Sequence, residues 1–132
     1  MLLIMTQPNI LAAAADLFFA AKIKGAADGV GVSVRFAKSC AGALAQARAE
    51  KPSLVLIDLH ATQCEPLALA EAFKSDAELR DIPLLGFFSH VQTALMHQAR
   101  AAGYDQVLPR SAFVKRLPEI LQEIWEGMKA KG

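Results

Sequence analysis

Leu54-Val55-Leu56-Ile57-Asp58 is the stretch on which the fold turns. Four consecutive aliphatic residues leave no face for water, the pattern of a central parallel strand covered on both sides, and the run stops on a carboxylate. That change marks the carboxyl end of a strand. Just upstream, Lys51-Pro52 ends a helix expected over Cys40 to Glu50, with Ser39 as its N-cap and Ala43, Leu44 and Ala47 as a modest apolar stripe. Downstream, Pro66 to Lys74 is helical in composition, and Ile82 to Phe88 reads as a second buried strand with Pro83 near its beginning.

The alternation continues in both directions. Toward the N-terminus, Val30, Val32, Val34 and Phe36 fall on alternate positions of a strand, and before them Ile10, Leu11, Ala14, Leu17, Phe18 and Ala21 recur at helical spacing over Ile10 to Ile23, with Gly25 as the stop. Leu2 to Met5 reads as the first strand, ending in Thr6-Gln7-Pro8-Asn9, where Pro8 and Asn9 suit a helix start. Toward the C-terminus, a helix over Gln92 to Ala102 closes at Gly103, and a short strand follows at Gln106-Val107-Leu108. The last helix is expected from Phe113 or Lys115 to Met128, with Leu117, Ile120, Leu121 and Ile124 on one face and Pro118 confined to its first turn. Five strands alternating with five helices predict right-handed βαβ crossovers. The fold class is α/β: a flavodoxin-like (βα)5 doubly wound parallel sheet, strand order 2-1-3-4-5, in three α/β/α layers, with residues 1–132 forming one domain.

Composition narrows the function classes. With 54% hydrophobic and 20% charged residues the chain can enclose a core, so disorder is excluded, yet no uncharged apolar run reaches the roughly 18 residues of a membrane span. Fourteen basic against thirteen acidic residues leave a formal charge of +1, and no stretch concentrates Lys and Arg with aromatics, which argues against nucleic-acid binding. The apolar start lacks the basic n-region of a signal peptide. Cys40 and Cys64 lie far apart, without partners at zinc-ligand spacing, so neither a disulfide framework nor a metal site is expected, and the reading is cytoplasmic.

In open α/β sheets ligands bind beyond the carboxyl ends of the strands, which selects Thr6, Gln7, Asp58, Ser89, His90, Pro109 and Arg110. Arg110, at the end of the fifth strand, is expected to pair with Asp58 and hold it ionised. His60, His90 and His97 read as loop or surface residues, because none has companions that complete a metal site. A small enzyme or ligand-binding protein of the same shape stays open as an alternative, but Thr6-Gln7-Pro8-Asn9 offers no Gly-rich phosphate loop.

Lys51-Pro52-Ser53-Leu54-Val55-Leu56-Ile57-Asp58-Leu59 resembles the third-strand segment of response-regulator receiver domains. Leu79-Arg80-Asp81-Ile82-Pro83-Leu84-Leu85 is similar to the approach to the fourth strand in that family. Ala101-Ala102-Gly103-Tyr104-Asp105 is similar to the end of its fourth helix, and Leu108-Pro109-Arg110-Ser111-Ala112-Phe113 stands where receivers carry Lys-Pro-Phe. The resemblance covers essentially the whole chain. It implies a signalling module with Asp58 at the phosphoacceptor position, and a histidine kinase or downstream signalling protein as partner. It also implies an interaction or homodimer face on the fourth helix, fifth strand and fifth helix, represented here by Phe113 and Trp125.

The departures from the family pattern are equally specific. The acidic pair that binds Mg²⁺ at the end of the first strand falls on Thr6 and Gln7, which carry no carboxylate. The switch hydroxyl falls on Phe88, with Ser89 next to it, and the phosphate-contacting lysine is Arg110. The resulting expectation is a stand-alone pseudo-receiver that acts by protein–protein interaction. It is not an enzyme, has no catalytic residue, metal or cofactor, and binds neither nucleic acid nor membrane. The alternative is a working phosphoacceptor, phosphorylated on Asp58 with Mg²⁺.

Overall fold

The computed structural model describes residues 8–14, 16–60, 65–89 and 93–131, with side chains as far as residue 127. The strands are β1 (Asn9–Ala13), β2 (Ser33–Ala37), β3 (Leu54–Asp58), β4 (Leu84–Phe88) and β5 (Gln106–Pro109). The helices are α1 (Leu17–Val30), α2 (Cys40–Ala49), α3 (Pro66–Ser75), α4 (Thr93–Ala102) and α5 (Arg110–Lys131). All strand pairs are parallel and the sheet order is β2-β1-β3-β4-β5, as the alternation of elements predicts.

Successive strand residues feed opposite faces of the sheet. Ile10, Ala12, Leu54, Leu56, Leu85 and Phe87 pack with Phe19, Ile23 and Ala27 of α1 and with Phe113, Leu117, Ile120 and Leu121 of α5. Leu11, Ala13, Val55, Ile57, Leu84 and Phe88 pack instead under Ala43 and Ala47 of α2, Leu69, Ala70 and Phe73 of α3, and Ala99 of α4. The central strands β1, β3 and β4 are therefore buried on both sides. This is why they read as apolar runs rather than as alternating patterns.

The N-terminal elements differ from the sequence reading. The first strand is Asn9–Ala13, not Leu2–Met5, and the segment read as the first helix supplies both β1 and the start of α1. Residues 1–7 lie outside the described residues. The cause is the ambiguity of a short apolar run: Ile10-Leu11-Ala12-Ala13 satisfies a helical stripe as well as a fully buried strand. Pro8 precedes the strand, where its missing N–H costs nothing, and its carbonyl accepts from the Ser33 N–H (3.2 Å). Gly25, read as the helix stop, lies inside α1, and the helix ends six residues later at Gly31, whose φ of 87° is the left-handed conformation glycine adopts without a Cβ penalty.

Other local signals hold. Ser39 Oγ accepts from the Gly42 N–H (3.0 Å), capping α2, and Pro66 occupies the first turn of α3. α5 starts earlier than predicted, at Arg110, so Pro118 stands in its third turn rather than its first. It is exposed there, where the lost N–H and the uncovered carbonyl one turn back cost less than they would in the core. Cys40, the first residue of α2, is disulfide-bonded, contrary to the expectation of separate thiols, and its partner lies outside the described residues. The argument for a reducing compartment therefore does not hold for Cys40. Among the described residues no helix is long and apolar enough to cross a membrane.

Candidate functional site

β3 carries Asp58 to the carboxyl edge of the sheet, where it is half-buried and its Oδ1 accepts the His60 N–H (2.9 Å), closing a tight turn. Asp58 lies abreast of Phe87 on β4. On the other side, β1 pairs Ala13 with Ile57, so one further step along the same register brings Ala14 abreast of Asp58. Ala14 packs against the α1/α5 core. The position just past the first strand, next in register toward the central carboxylate, thus holds a methyl group.

The first acid after β1 is Asp16, and it has other work. It is the N-cap of α1: Oδ1 accepts the N–H groups of Phe18 (2.9 Å) and Phe19 (3.3 Å), two of the donors a helix start leaves unmatched. Its Oδ2 accepts from Arg110 Nη2 at 2.8 Å, a contact between residues 94 apart in sequence. The guanidinium also lies over the Phe19 ring, 4.2 Å from the ring centre. Beneath it Phe19, Phe87 and Phe113 form an aromatic cluster, with ring centres 4.7 Å apart for Phe19–Phe87, 5.5 Å for Phe19–Phe113 and 4.5 Å for Phe87–Phe113.

This arrangement corrects one expectation directly. Arg110 pairs with Asp16, not with Asp58, and among the described residues no hydrogen bond or ion pair joins Asp58 to Arg110 or to Ser89. The reason is that α5 begins at Arg110 itself, so the side chain leaves from the first turn of a helix that packs on α1. Ser89 is exposed just past β4, while Phe88 is buried on the α2/α3/α4 face. Thr6, Gln7, His90 and Cys64 lie outside the described residues. Since β1 ends at Ala13, the positions following the first strand are Ala14, Ala15 and Asp16 rather than Thr6 and Gln7. Phe113 is not a surface residue: it is fully buried at 0% exposure, and Trp125 is half-buried against the same core.

Asp16 was missed because the helix was started at Ile10. The signal was present in Asp16-Leu17-Phe18-Phe19, an acid immediately before a helical apolar pattern. The hydrogen bond from Arg110, followed by that from the Phe19 N–H, holds the Asp16 carboxyl below its ordinary value of 3.8. A carboxyl depressed by folding contributes stability at neutral pH, fully present above the unfolded value and lost as the pH falls through the folded one. Replacing Arg110 with Met is therefore expected to move the Asp16 midpoint upward in a carbon-detected NMR titration. An unchanged midpoint would show that the bridge is not populated.

The fold is one for which a Mg²⁺ site is implied, and the donors here do not fit it. Mg²⁺ demands an octahedral set of hard oxygens, usually with more than one carboxylate. Ala14 and Ala15 have no side-chain oxygen, and both oxygens of Asp16 are committed to helix capping and to Arg110. Among the described residues no three His, Cys, Asp or Glu side chains gather as a ligand set.

A five-stranded parallel sheet of this order, with a carboxylate at the end of its central strand, defines the receiver type of flavodoxin-like fold. Solved structures agree. The chain is similar to the chemotaxis response regulator CheY4 of Vibrio cholerae, with a TM-score of 0.79, 17% identity and coverage of 90% of this chain and 99% of that one. It is similar to a CheY-like response regulator receiver domain protein from Methanospirillum hungatei, with a TM-score of 0.79, 20% identity and coverage of 96% and 100%. The match to NtrX from Brucella abortus has a TM-score of 0.78 at 20% identity over 96% of this chain, which spans 28% of that longer protein. No family model and no curated protein matches the sequence. The likeness is one of fold.

Proposed function

We propose that this protein is a receiver-fold signalling module that acts by binding another protein, without Mg²⁺-dependent phosphorylation of Asp58. What carries the proposal is the chemistry of the residues at the exit of β1: the residue after the Ala13–Ile57 pair is Ala14, which has only a methyl group, and Asp16 is tied to Arg110 at 2.8 Å. Phosphoryl transfer is catalysed mainly by positioning and by neutralising charge on the transferred oxygens, and a bound metal supplies much of that neutralisation. Among the described residues, the first acid after β1, Asp16, has both oxygens engaged and is not free to help Asp58 hold a metal. Arg110, the cation at the end of β5, is already matched by an anion and stacked on Phe19.

One observation favours the other reading: Asp58 is half-exposed at the strand end, and among the described residues its only hydrogen-bond donor is the His60 N–H. Incubation with acetyl phosphate and Mg²⁺, followed by intact mass measurement, separates the two. The expected result is an unmodified chain. A stoichiometric phosphoryl adduct that disappears in Asp58→Ala would overturn the proposal and establish a working phosphoacceptor.

A further inference from the structure

α2 opens on a bonded sulfur. Cys40 is the first residue of the helix, directly after the Ser39 cap, and it is disulfide-bonded. It is partly exposed, and with Leu44 and Leu67 it packs against the core beneath α2, α3 and α4. The chain has two cysteines, so the other half of the bond is Cys64, which lies outside the described residues. In sequence Cys64 stands between Asp58, the last residue of β3, and Pro66, the first of α3. The bond therefore joins the start of α2 to the connection that leaves the central carboxylate.

Three observations separate this bond from a structural staple. Small domains need disulfides when their cores are thin, and here α2 is already seated on the sheet by Ala43 and Ala47, and α3 by Leu69, Ala70 and Phe73, all of them buried. Cys40 is partly exposed, as attack on a disulfide requires. It also stands at a helix N-terminus with no acid in the first turn, where the helix dipole stabilises a departing thiolate.

We infer that the Cys40 disulfide is a reversible redox site, opened by a protein dithiol and closed again by a disulfide oxidant, and that its state is felt at the turn after Asp58. A thiolate of the reductant attacks the Cys64 sulfur, the S–S bond breaks with its electron pair going to Cys40, and a mixed disulfide forms on Cys64. The second thiolate of the reductant then attacks the reductant's own sulfur in that mixed disulfide and releases Cys64. Two electrons and two protons pass to the protein, which ends with two thiols, and the reductant ends as a disulfide. Reoxidation is the same exchange in reverse.

The sheet holds the near side of this turn: the Leu59 N–H donates to the Phe87 carbonyl at 2.9 Å, and Asp58 Oδ1 accepts the His60 N–H at 2.9 Å. Beyond His60 the bond to Cys40 supplies a second anchor, and reduction removes it while β3 and α2 keep their packing. The inference goes beyond the proposed function and does not depend on it, since a redox input at this edge is compatible with either chemistry of Asp58.

The test uses the full chain, isotopically labelled and purified without reductant. Alkylation with N-ethylmaleimide and intact mass measurement are expected to find no adduct before treatment with dithiothreitol under native conditions and two after it. A non-reduced digest should yield the Cys40 and Cys64 peptides joined, and oxidised glutathione should restore the form that does not alkylate. Reduction is expected to shift the backbone amides of residues 40–43 and 58–60, to leave residues 113–121 of α5 unmoved, and to lower the melting temperature by roughly 5–15 °C with one cooperative transition. Cys64→Ser and Cys40→Ser should each give the reduced pattern at residues 58–60 and no response to dithiothreitol.

A bond that resists dithiothreitol until the protein is denatured is a structural staple and overturns the inference. So do a reduced wild-type chain that loses its amide dispersion, a bond that links two copies, shifts confined to residues 40–43, or two adducts in protein exposed to oxidised glutathione. Phosphodonor labelling is read separately: an adduct on Asp58 in both redox states rejects the proposed function and leaves the redox site standing.

Discussion

Phe113→Ala is expected to cost about 3–5 kcal/mol of folding stability, enough to remove a large share of the 5–15 kcal/mol typical of a domain this size. The side chain is fully buried, stacked on Phe87 at 4.5 Å and near Phe19 at 5.5 Å between ring centres. Truncation removes its transfer free energy, leaves a cavity between α1, α5 and β4, and breaks two aromatic contacts. Neighbours can relax into the space only partly, because Phe87 is held by the sheet and Phe19 by the capped first turn of α1. Urea unfolding followed through Trp125, the only tryptophan, reads the loss as a lowered midpoint at unchanged slope. A shift below about 1 kcal/mol would mean that Phe113 is a surface residue after all.

Gly103→Ala is the second large effect, expected to cost about 2–4 kcal/mol through backbone strain and a displaced clamp. Gly103 follows α4 with φ at 126°, a conformation that residues with a Cβ rarely adopt, and an added Cβ would sit 2.5 Å from Lys74 Cγ. Lys74 cannot yield freely. Its ammonium donates to the carbonyl of Arg80 (3.1 Å) and to Asp105 Oδ2 (3.3 Å), and that same oxygen accepts the Leu84 N–H at 2.8 Å. Pushing Lys74 aside therefore loosens the starts of β4 and β5 together. Gly25→Ala is the control: nothing lies within 4 Å of its added Cβ, and inside α1 it should stabilise by roughly 0.5–1 kcal/mol. Equal effects at the two glycines would refute the strain argument.

The central and C-terminal parts of the fold were legible because their signals are local. Ser39 before an alanine-rich stripe, Pro66 at a helix start, Gly103 after one, and the greasy run into Asp58 each specify a boundary without tertiary information. The N-terminus was not legible in the same way, because Ile10 to Ala13 has too few residues to separate a period of two from a period of 3.6. The burial of Phe113 could have been read: it lies one helical turn before Leu117 on the stripe that continues through Ile120, Leu121 and Ile124. The partner of Arg110 could not, since periodicity carries no information about a contact spanning 94 residues.

That span has a consequence for the order in which the chain matures. α1 is made early, but part of the cover for its stripe of Phe19, Ile23 and Ala27 comes from the last helix, through Phe113, Leu117, Ile120 and Leu121. Chains leave the ribosome at about 5–20 residues per second, so this side of the sheet stays partly uncovered for several seconds after α1 emerges. Phe19 and Ile23 then join Leu17 and Phe18 as surface within reach of a chaperone. The arrival of α5, with Arg110 closing onto Asp16, ends that period and leaves Leu17 and Phe18 in view.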